Sequence, residues 1–352
     1  MTYRESAAEK LNKLKNRDGF LILAIETSCD ETSASVTRGK EVLSLTIASQ
    51  IEIHKRFGGV VPEIASRNHT GAIKSVTDGA LKEAGVTLDD IDAVAVTYGA
   101  GLLGALLVGV AYAKALAYAK NLPLIAVSHI KGHIAANYIA DENLSPPYLC
   151  LLASGGHTAV AEVNGYDELK VLGSTRDDAV GEAFDKVARV LGLPYPGGPE
   201  IERLAEKGSP IIAFPRGLKQ SDTLDFSYSG LKTAVINYLH TAESRGEDVN
   251  KADVAASFQE AAVSAMTDNL ERALVKTGLK TAVIAGGVAA NGTLRKKAAE
   301  VGKRLGVKII YPPLKFCTDN AAMIGVCAYN LIKEGKAAAG LDLDASATVS
   351  VD

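Results

Sequence analysis

The chain has 352 residues, 47% hydrophobic and 22% charged, with a formal net charge of −3; this is an ordinary globular balance, long enough for two domains or one large bilobal one. Nothing in that charge announces a polyanion partner, and no apolar run approaches the roughly 20 residues of a membrane span. The four cysteines, Cys29, Cys150, Cys317 and Cys327, form no C-x-x-C pair, and the N-terminus has no apolar secretory core, so the expectation is reduced thiols in a cytoplasmic protein.

Residues 1–18 read as a polar, helix-prone extension ahead of a first strand, FLILAIET, which turns through ETSCDETSASV into a hairpin. A helix is predicted over 70–84, stopped by Gly85, then a buried strand, IDAVAVTY, a small-residue helix over 102–120, and a strand at 123–128 leading into the histidine-bearing helix HIKGHIAANY. Such β-then-α alternation predicts a mainly parallel sheet. The second half opens in the same way, with PYLCLLASGGHTAVAEV as two strands around a Ser-Gly-Gly turn and KVLGST as a third. Helices follow at about 177–191, 199–207, 229–241 and 251–277, then the strand TAVIAGGV, a helix from 291 to 305, the strand VKIIYPP and a last helix from 319 to 334. Similar openings without a close sequence repeat predict a structural duplication, with a ligand in the cleft between lobes.

Three turns have the equipment to hold a phosphorylated ligand. Thr27-Ser28-Cys29-Asp30-Glu31 offers hydroxyls, amides and two carboxylates; Ser154-Gly155-Gly156 offers amides without Cβ obstruction; Ala285-Gly286-Gly287 closes a strand shortly before Asn291. Each alone reads as an ordinary strand-end turn. Their joint presence on strand ends is the stronger signal, although neither a Walker P-loop nor a Rossmann fingerprint follows the first strand. The basic clusters Arg295-Lys296-Lys297 and His54-Lys55-Arg56 read first as solvated faces.

His129 and His133 stand at i and i+4, which puts both rings on one helical face. A metalloprotease helix has a glutamate directly after its first histidine; here that position is Ile130. The pair is therefore either a structural stack or two ligands in need of a third. Asp319 is a candidate for that third ligand, with a simple helix N-cap as its rival reading.

The segments IETSCDET (25–32), HIKGHI (129–134), SGGHT (154–158), GEAFDK (181–186), YPGGP (195–199), FSYSGLKT (226–233), AGGVAAN (285–291) and CTDNAAMIG (317–325) resemble, in order and from about residue 20 to 335, the signature blocks of the TsaD family. These are bacterial tRNA N6-adenosine threonylcarbamoyltransferases, once described as O-sialoglycoprotein endopeptidases. The resemblance implies an α/β, two-lobed actin-like ATPase (ASKHA) fold with duplicated mixed sheets flanked by helices. The expected division is an extension over 1–18, an N-terminal lobe over 19–130, a C-terminal lobe over 131–340 and a tail over 341–352.

The implied reaction transfers a threonylcarbamoyl group from threonylcarbamoyl-AMP to N6 of adenosine 37 in tRNAs reading ANN codons. Carried over by position, His129, His133 and Asp319 match ligands of one divalent metal, with ferrous iron ahead of zinc. Leu152, Ala153, Ser154, Gly155 and Gly156, with Asp185, Gly198, Glu202 and Asn291, match the adenylate site, which is also open to ATP or ADP. Glu202 stands where relatives often have Asp. Ser28, Asp30 and Glu31 match the catalytic turn. Implied partners are the tRNA, a TsaB-like paralogue docking on the helices at 70–84 and 102–120, a TsaE-like P-loop ATPase and the synthase that makes the adenylate. The basic stretch 54–69, with Arg56, Arg67 and His69, is the expected tRNA footprint. Rival readings are a metallopeptidase, a kinase or ATPase of the same fold, and a non-catalytic nucleotide-binding scaffold.

Overall fold

The computed structural model describes residues 2–218, 222–335 and 339–350; the first residue of the expected extension, residues 336–338 and the last two residues of the tail lie outside them. Two compact units emerge. Unit 1 takes Met1–Leu144, Gly165–Glu168 and Pro312–Asp352, and unit 2 takes Ser145–Asn164 and Leu169–Tyr311.

Unit 1 begins with α1 (Tyr3–Lys15), β1 (Leu21–Glu26), β2 (Glu31–Arg38), β3 (Glu41–Ser49), α2 (Ile51–His54), α3 (Pro62–Ala84), β4 (Ala93–Gly99), α4 (Leu103–Ala119), β5 (Leu124–Ser128), α5 (His129–Ala135) and α6 (Asn137–Ala140). Its sheet has the order β3-β2-β1-β4-β5, antiparallel through β3-β2-β1 and parallel through β1-β4-β5. Unit 2 contributes β6 (Tyr148–Ala153), β7 (Thr158–Val163), β8 (Leu169–Ser174), α7 (Val180–Leu191), α8 (Gly197–Ala205), α9 (Ser229–Ser244), α10 (Lys251–Thr277), β9 (Thr281–Ala285), α11 (Gly292–Leu305) and β10 (Lys308–Ile310), before the chain re-enters unit 1 as α12 (Ala321–Glu334). The second sheet runs β8-β7-β6-β9-β10, with β8-β7-β6 antiparallel and β6-β9-β10 parallel. The two units therefore share one topology, and the expected duplication is present in structure where the sequence retains no repeat.

The strand β1 is buried almost throughout, as a strand covered on both faces must be. Leu23 and Ile25 join Ile73 of α3, Val94 and Val96 of β4, and Val110 of α4 in one apolar cluster. Period-two alternation sends Ile22 and Ala24 to the opposite face, against which α12 packs. The helix α5 reaches α12 through Gly132: a Cβ there would stand 2.7 Å from Ile324 Cδ1. Because α12 covers β1 and carries α5 with it, His133 and the whole of 312–335 belong to unit 1. The expected boundary at 130/131 placed them in the second lobe; the packing of α12 corrects it.

The helix expected of the N-terminal extension is present, and two further departures have local causes. The N-terminal extension is a helix closed by a capping box between Thr2 and Glu5, and it buries Ala7, Leu11 and Leu14, an i, i+4, i+7 stripe hidden in a polar stretch. The helix predicted from 70 begins at Pro62, a residue preorganised for the first helical turn; its inward stripe includes a buried histidine, His69, which made the segment read as polar. The strand β3 has no counterpart in the sequence reading, since it lies at the sheet edge and is largely half-exposed.

Asn320 caps α12 and is fully buried. Its Oδ1 accepts from the Met323 amide at 3.0 Å, and its Nδ2 donates to the carbonyls of Phe316 and Thr318 at 3.2 and 2.8 Å. Asn320→Ala is expected to lower unfolding free energy by about 1–3 kcal/mol, read as a reduced denaturant midpoint with an unchanged slope.

Candidate active site

The strand β1 ends on a carboxylate, Glu26, with none of its surface exposed to solvent. A buried charge must be paired or saturated with hydrogen bonds, and Glu26 meets this with three donors. Its Oε1 accepts from the Ser28 amide at 2.5 Å, and its Oε2 accepts from Thr97 Oγ1 at 2.6 Å and His129 Nδ1 at 3.1 Å. Burial would raise its pKa, but His129 and Thr97 outweigh that and keep it below the ordinary carboxylate value. Because a carboxylate has no hydrogen to give, His129 Nδ1 carries a proton, which leaves Nε2 as the nitrogen that a metal ion would take on displacing its hydrogen.

Both Nε2 atoms face Asp319, whose Oδ1 lies 3.4 Å from His129 Nε2 and 3.2 Å from His133 Nε2. Ligand atoms of the three residues lie within 4.8 Å of one another. The rings meet edge-on with centroids 4.5 Å apart. Burial opposes charge on His129, but Asp319 and Glu26 raise its pKa to about 9. Burial and then the neighbouring His129 lower that of His133. Asp319 is pulled down to about 2 by the two imidazoles despite its burial. Two imidazole nitrogens and a carboxylate oxygen converging on one point, with a carboxylate behind the first imidazole, fit a borderline divalent ion such as iron or zinc.

The turn after β1 sits beside this cluster. Ser28 Oγ lies 3.1 Å from His129 Nδ1. Asp30 is buried and its pKa is raised, chiefly by desolvation. Glu31, the cross-strand partner of Ser49, accepts from Ser49 Oγ at 2.8 Å; burial, with repulsion from Asp30 and Asp319, still pushes it up to about 7. The turn is held from α3 by His69, whose Nε2 lies 2.9 Å from the Cys29 carbonyl and whose Nδ1 lies 2.8 Å from Thr32 Oγ1. His69 is therefore internal, and the expected tRNA stretch 54–69 loses it. Of the other two residues named there, Arg67 is ion-paired with Glu63 and Arg56 is exposed.

In unit 2, Leu152 and Ala153 end β6 as buried core residues. Ser154 closes the following turn by exchanging bonds with His157, while Gly155 and Gly156 are exposed, with open space where a Cβ would be. Gly286 adopts φ +92°, and a Cβ on it would fall 2.4 Å from the Ala153 carbonyl, so only glycine lets the second turn lie against the first. The Gly181 amide, at the start of α7, donates to the Ser154 carbonyl at 3.2 Å.

Asp185 accepts from the Gly197 amide at 2.7 Å and so fixes the start of α8, where Gly198 is unobstructed. Glu202 and Asn291 are engaged internally: Glu202 Oε1 accepts from the Gly292 amide at 2.6 Å, and Asn291 caps α11 through Leu294 while donating to Gln259. The block FSYSGLKT anchors the approach to α7, because Asp177 accepts from Ser227, Ser229 and the amides of Tyr228 and Ser229. These bonds hold its carboxyl at about 2 against partial burial.

Sequence reasoning passed over Glu26 and Thr97, and it read His69 as part of a tRNA-facing stretch. The available signal for Glu26 was a carboxylate ending an otherwise apolar buried strand. Glu26→Gln keeps the size but removes the charge that fixes His129, and it is expected to weaken affinity for a divalent ion about 10- to 100-fold. Competition titration with zinc on the refolded variant measures this, and an unchanged affinity would count against the assignment.

A model of the TsaD family, described as tRNA N6-adenosine threonylcarbamoyltransferase, matches residues 41–326. The curated protein of that name from Clostridium perfringens (strain ATCC 13124) is 56% identical over 320 residues, covering 90% of this chain and 94% of that protein. Its counterpart in Clostridium botulinum (strain Kyoto) is 54% identical over 331 residues, covering 94% and 97%. Among solved structures, HypF from T. kodakarensis matches with TM-score 0.61 at 14% identity, over 91% of this chain and 48% of that one. Component A of (R)-2-hydroxyglutaryl-CoA dehydratase from Acidaminococcus fermentans matches with TM-score 0.54 at 16% identity, over 89% and 99%. These structural likenesses carry the fold alone, the actin-like ATPase class. With a family model spanning most of its length and relatives above half identity over nine-tenths of it, the chain belongs to the TsaD family of tRNA N6-adenosine threonylcarbamoyltransferases.

Proposed function

We propose that this protein transfers a threonylcarbamoyl group from threonylcarbamoyl-AMP to N6 of adenosine 37 in tRNAs reading ANN codons. The observation that carries the reading is the convergence of His129, His133 and Asp319 beside the acidic turn 28–31, in a chain whose relatives bear that enzyme name. The donor's carbamoyl carbon is bonded to a phosphate oxygen of AMP. Transfer forms a C–N bond to N6, breaks that C–O bond and releases AMP with the electron pair. The N6 proton passes to a carboxylate of the turn, Asp30 or Glu31.

A divalent ion on the two imidazoles and Asp319, ferrous iron ahead of zinc, would supply Lewis acidity toward substrate oxygens. Gly155 and Gly156 would present amides to the phosphate, and Gly198 an unobstructed backbone surface to the nucleoside. Asp185, Glu202 and Asn291 would add polar contacts to the adenylate, Glu202 and Asn291 while also holding the start of α11. The same turns of unit 2 would accept ATP or ADP. Proposed partners are the tRNA, a TsaB-like paralogue, a TsaE-like P-loop ATPase and an adenylate synthase. No helix among the described residues is long and apolar enough to cross a membrane.

The peptidase reading requires a base after the first histidine, and Ile130 there is packed in the core. Incubating the protein and its partners with purified threonylcarbamoyl-AMP and unmodified tRNA separates the readings: modified adenosine supports transfer, whereas ATP hydrolysis or peptide cleavage without it supports a rival. Asp30→Ala is expected to lower transfer at least about tenfold with adenylate binding intact; full activity removes Asp30 from the reaction. Because Glu31 is raised to about 7 and a base acts only when deprotonated, transfer should climb with pH up to about 7 and level off above. Glu31→Gln should abolish that limb.

A further inference from the structure

Two histidines stand behind the turn, and they use their nitrogens differently. His69 commits both: a carbonyl at Nε2 requires a donor there, so Nδ1 accepts from the Thr32 hydroxyl. His54, at the end of α2, is fully buried. The Val61 amide donates to its Nδ1 at 3.3 Å, which places the proton of the neutral ring on Nε2. That N–H has no acceptor among the described residues. Orphaned buried donors are rare and call for an explanation.

Asp30 and His69 both interact electrostatically with this ring, and His69 has no acceptor to spare. Asp30 does, and its backbone is already tied to the cap of α2. The Gln50 amide donates to the Asp30 carbonyl at 3.1 Å, and the Gln50 carbonyl accepts from the His54 amide at 3.0 Å. Gln50 Nε2 is fixed on the Ala65 carbonyl, while its buried Oε1 has no donor. Gln50 and His54 are four residues apart, and residues at that spacing share a helical face.

We propose that His54 is a positioning residue for Asp30, its Nε2–H reaching the carboxylate through one bridging water whose second hydrogen goes to Gln50 Oε1. This arrangement satisfies both orphaned atoms with a single molecule that accepts one bond and donates two. It holds the Asp30 carboxylate in one orientation without neutralising it. The inference rests on the reading of 28–31 as the catalytic turn.

The test compares His54→Asn, which keeps an oxygen for the Val61 amide and removes the distal donor, with His54→Gln, which restores a donor near the position of Nε2. Transfer kinetics, zinc affinity and thermal melting are measured for both. Expected is a fall in kcat of about tenfold for His54→Asn, with KM for threonylcarbamoyl-AMP and zinc affinity unchanged, recovery by His54→Gln, and no further loss from His54→Asn in an Asp30→Ala background. Gln50→Met, which leaves the ring in place, should show the same kcat loss. Unchanged kcat in His54→Asn and Gln50→Met, or equal losses in both His54 variants that track their melting temperatures, would overturn the inference while leaving the turn assignment standing. Asp30→Ala at full activity would overturn both.

Discussion

A single buried carboxylate organises unit 1. Glu26 ends the central strand without solvent and is stable there only because β4, α5 and the turn after β1 each deliver a donor to it. Three elements distant in sequence are thereby brought to one point, and the tautomer of His129 is fixed as a by-product. The metal-ligating capacity of the His129–His133–Asp319 cluster, and the position of Ser28 beside it, both derive from that requirement. Removing the acceptor would leave three buried donors to find others, so the arrangement is all-or-none.

The shared sheet topology also explains a division of chemistry. In unit 1 the turn after the first strand carries side-chain functional groups, Ser28, Asp30 and Glu31. In unit 2 the equivalent turn after β6 is Ser154-Gly155-Gly156, which offers backbone instead. The duplicated hairpin thus carries two kinds of groups, carboxylates chemically able to take a proton and bare amides chemically able to meet an anion. The glycines of unit 2 serve proximity as well as exposure, since Gly286 alone allows the 285–291 turn to lie on Ala153.

Much of this was legible beforehand. Long periodic segments such as 251–277 have the expected limits, whereas the mainly parallel sheet expected from the α/β alternation is replaced in each unit by a mixed one whose first three strands in chain order pair antiparallel. The three candidate ligands were recognisable because spacing and motif coincide, His129 and His133 on one helical face and Asp319 at a helix start. What escaped were features whose meaning depends on a distant partner. Glu26 reads as the polar end of a strand until Thr97 and His129 arrive beside it. His69 reads as surface, yet it is the internal clamp of the turn. Glu202 and Asn291 read as ligand contacts by position, and that they also hold the start of α11 depends on hydrogen bonds to distant partners. The lobe boundary failed for the same reason, because α12 returns to β1 from the far end of the chain.

The central claim, that His129, His133 and Asp319 form a metal centre on which the transfer depends, is tested most directly by stripping the protein of metal and reloading it. The account predicts one divalent ion per chain, transfer to unmodified tRNA lost on chelation and restored by ferrous iron, and neither binding nor restoration in His133→Ala. A metal-free protein that transfers the threonylcarbamoyl group at the full rate would contradict it.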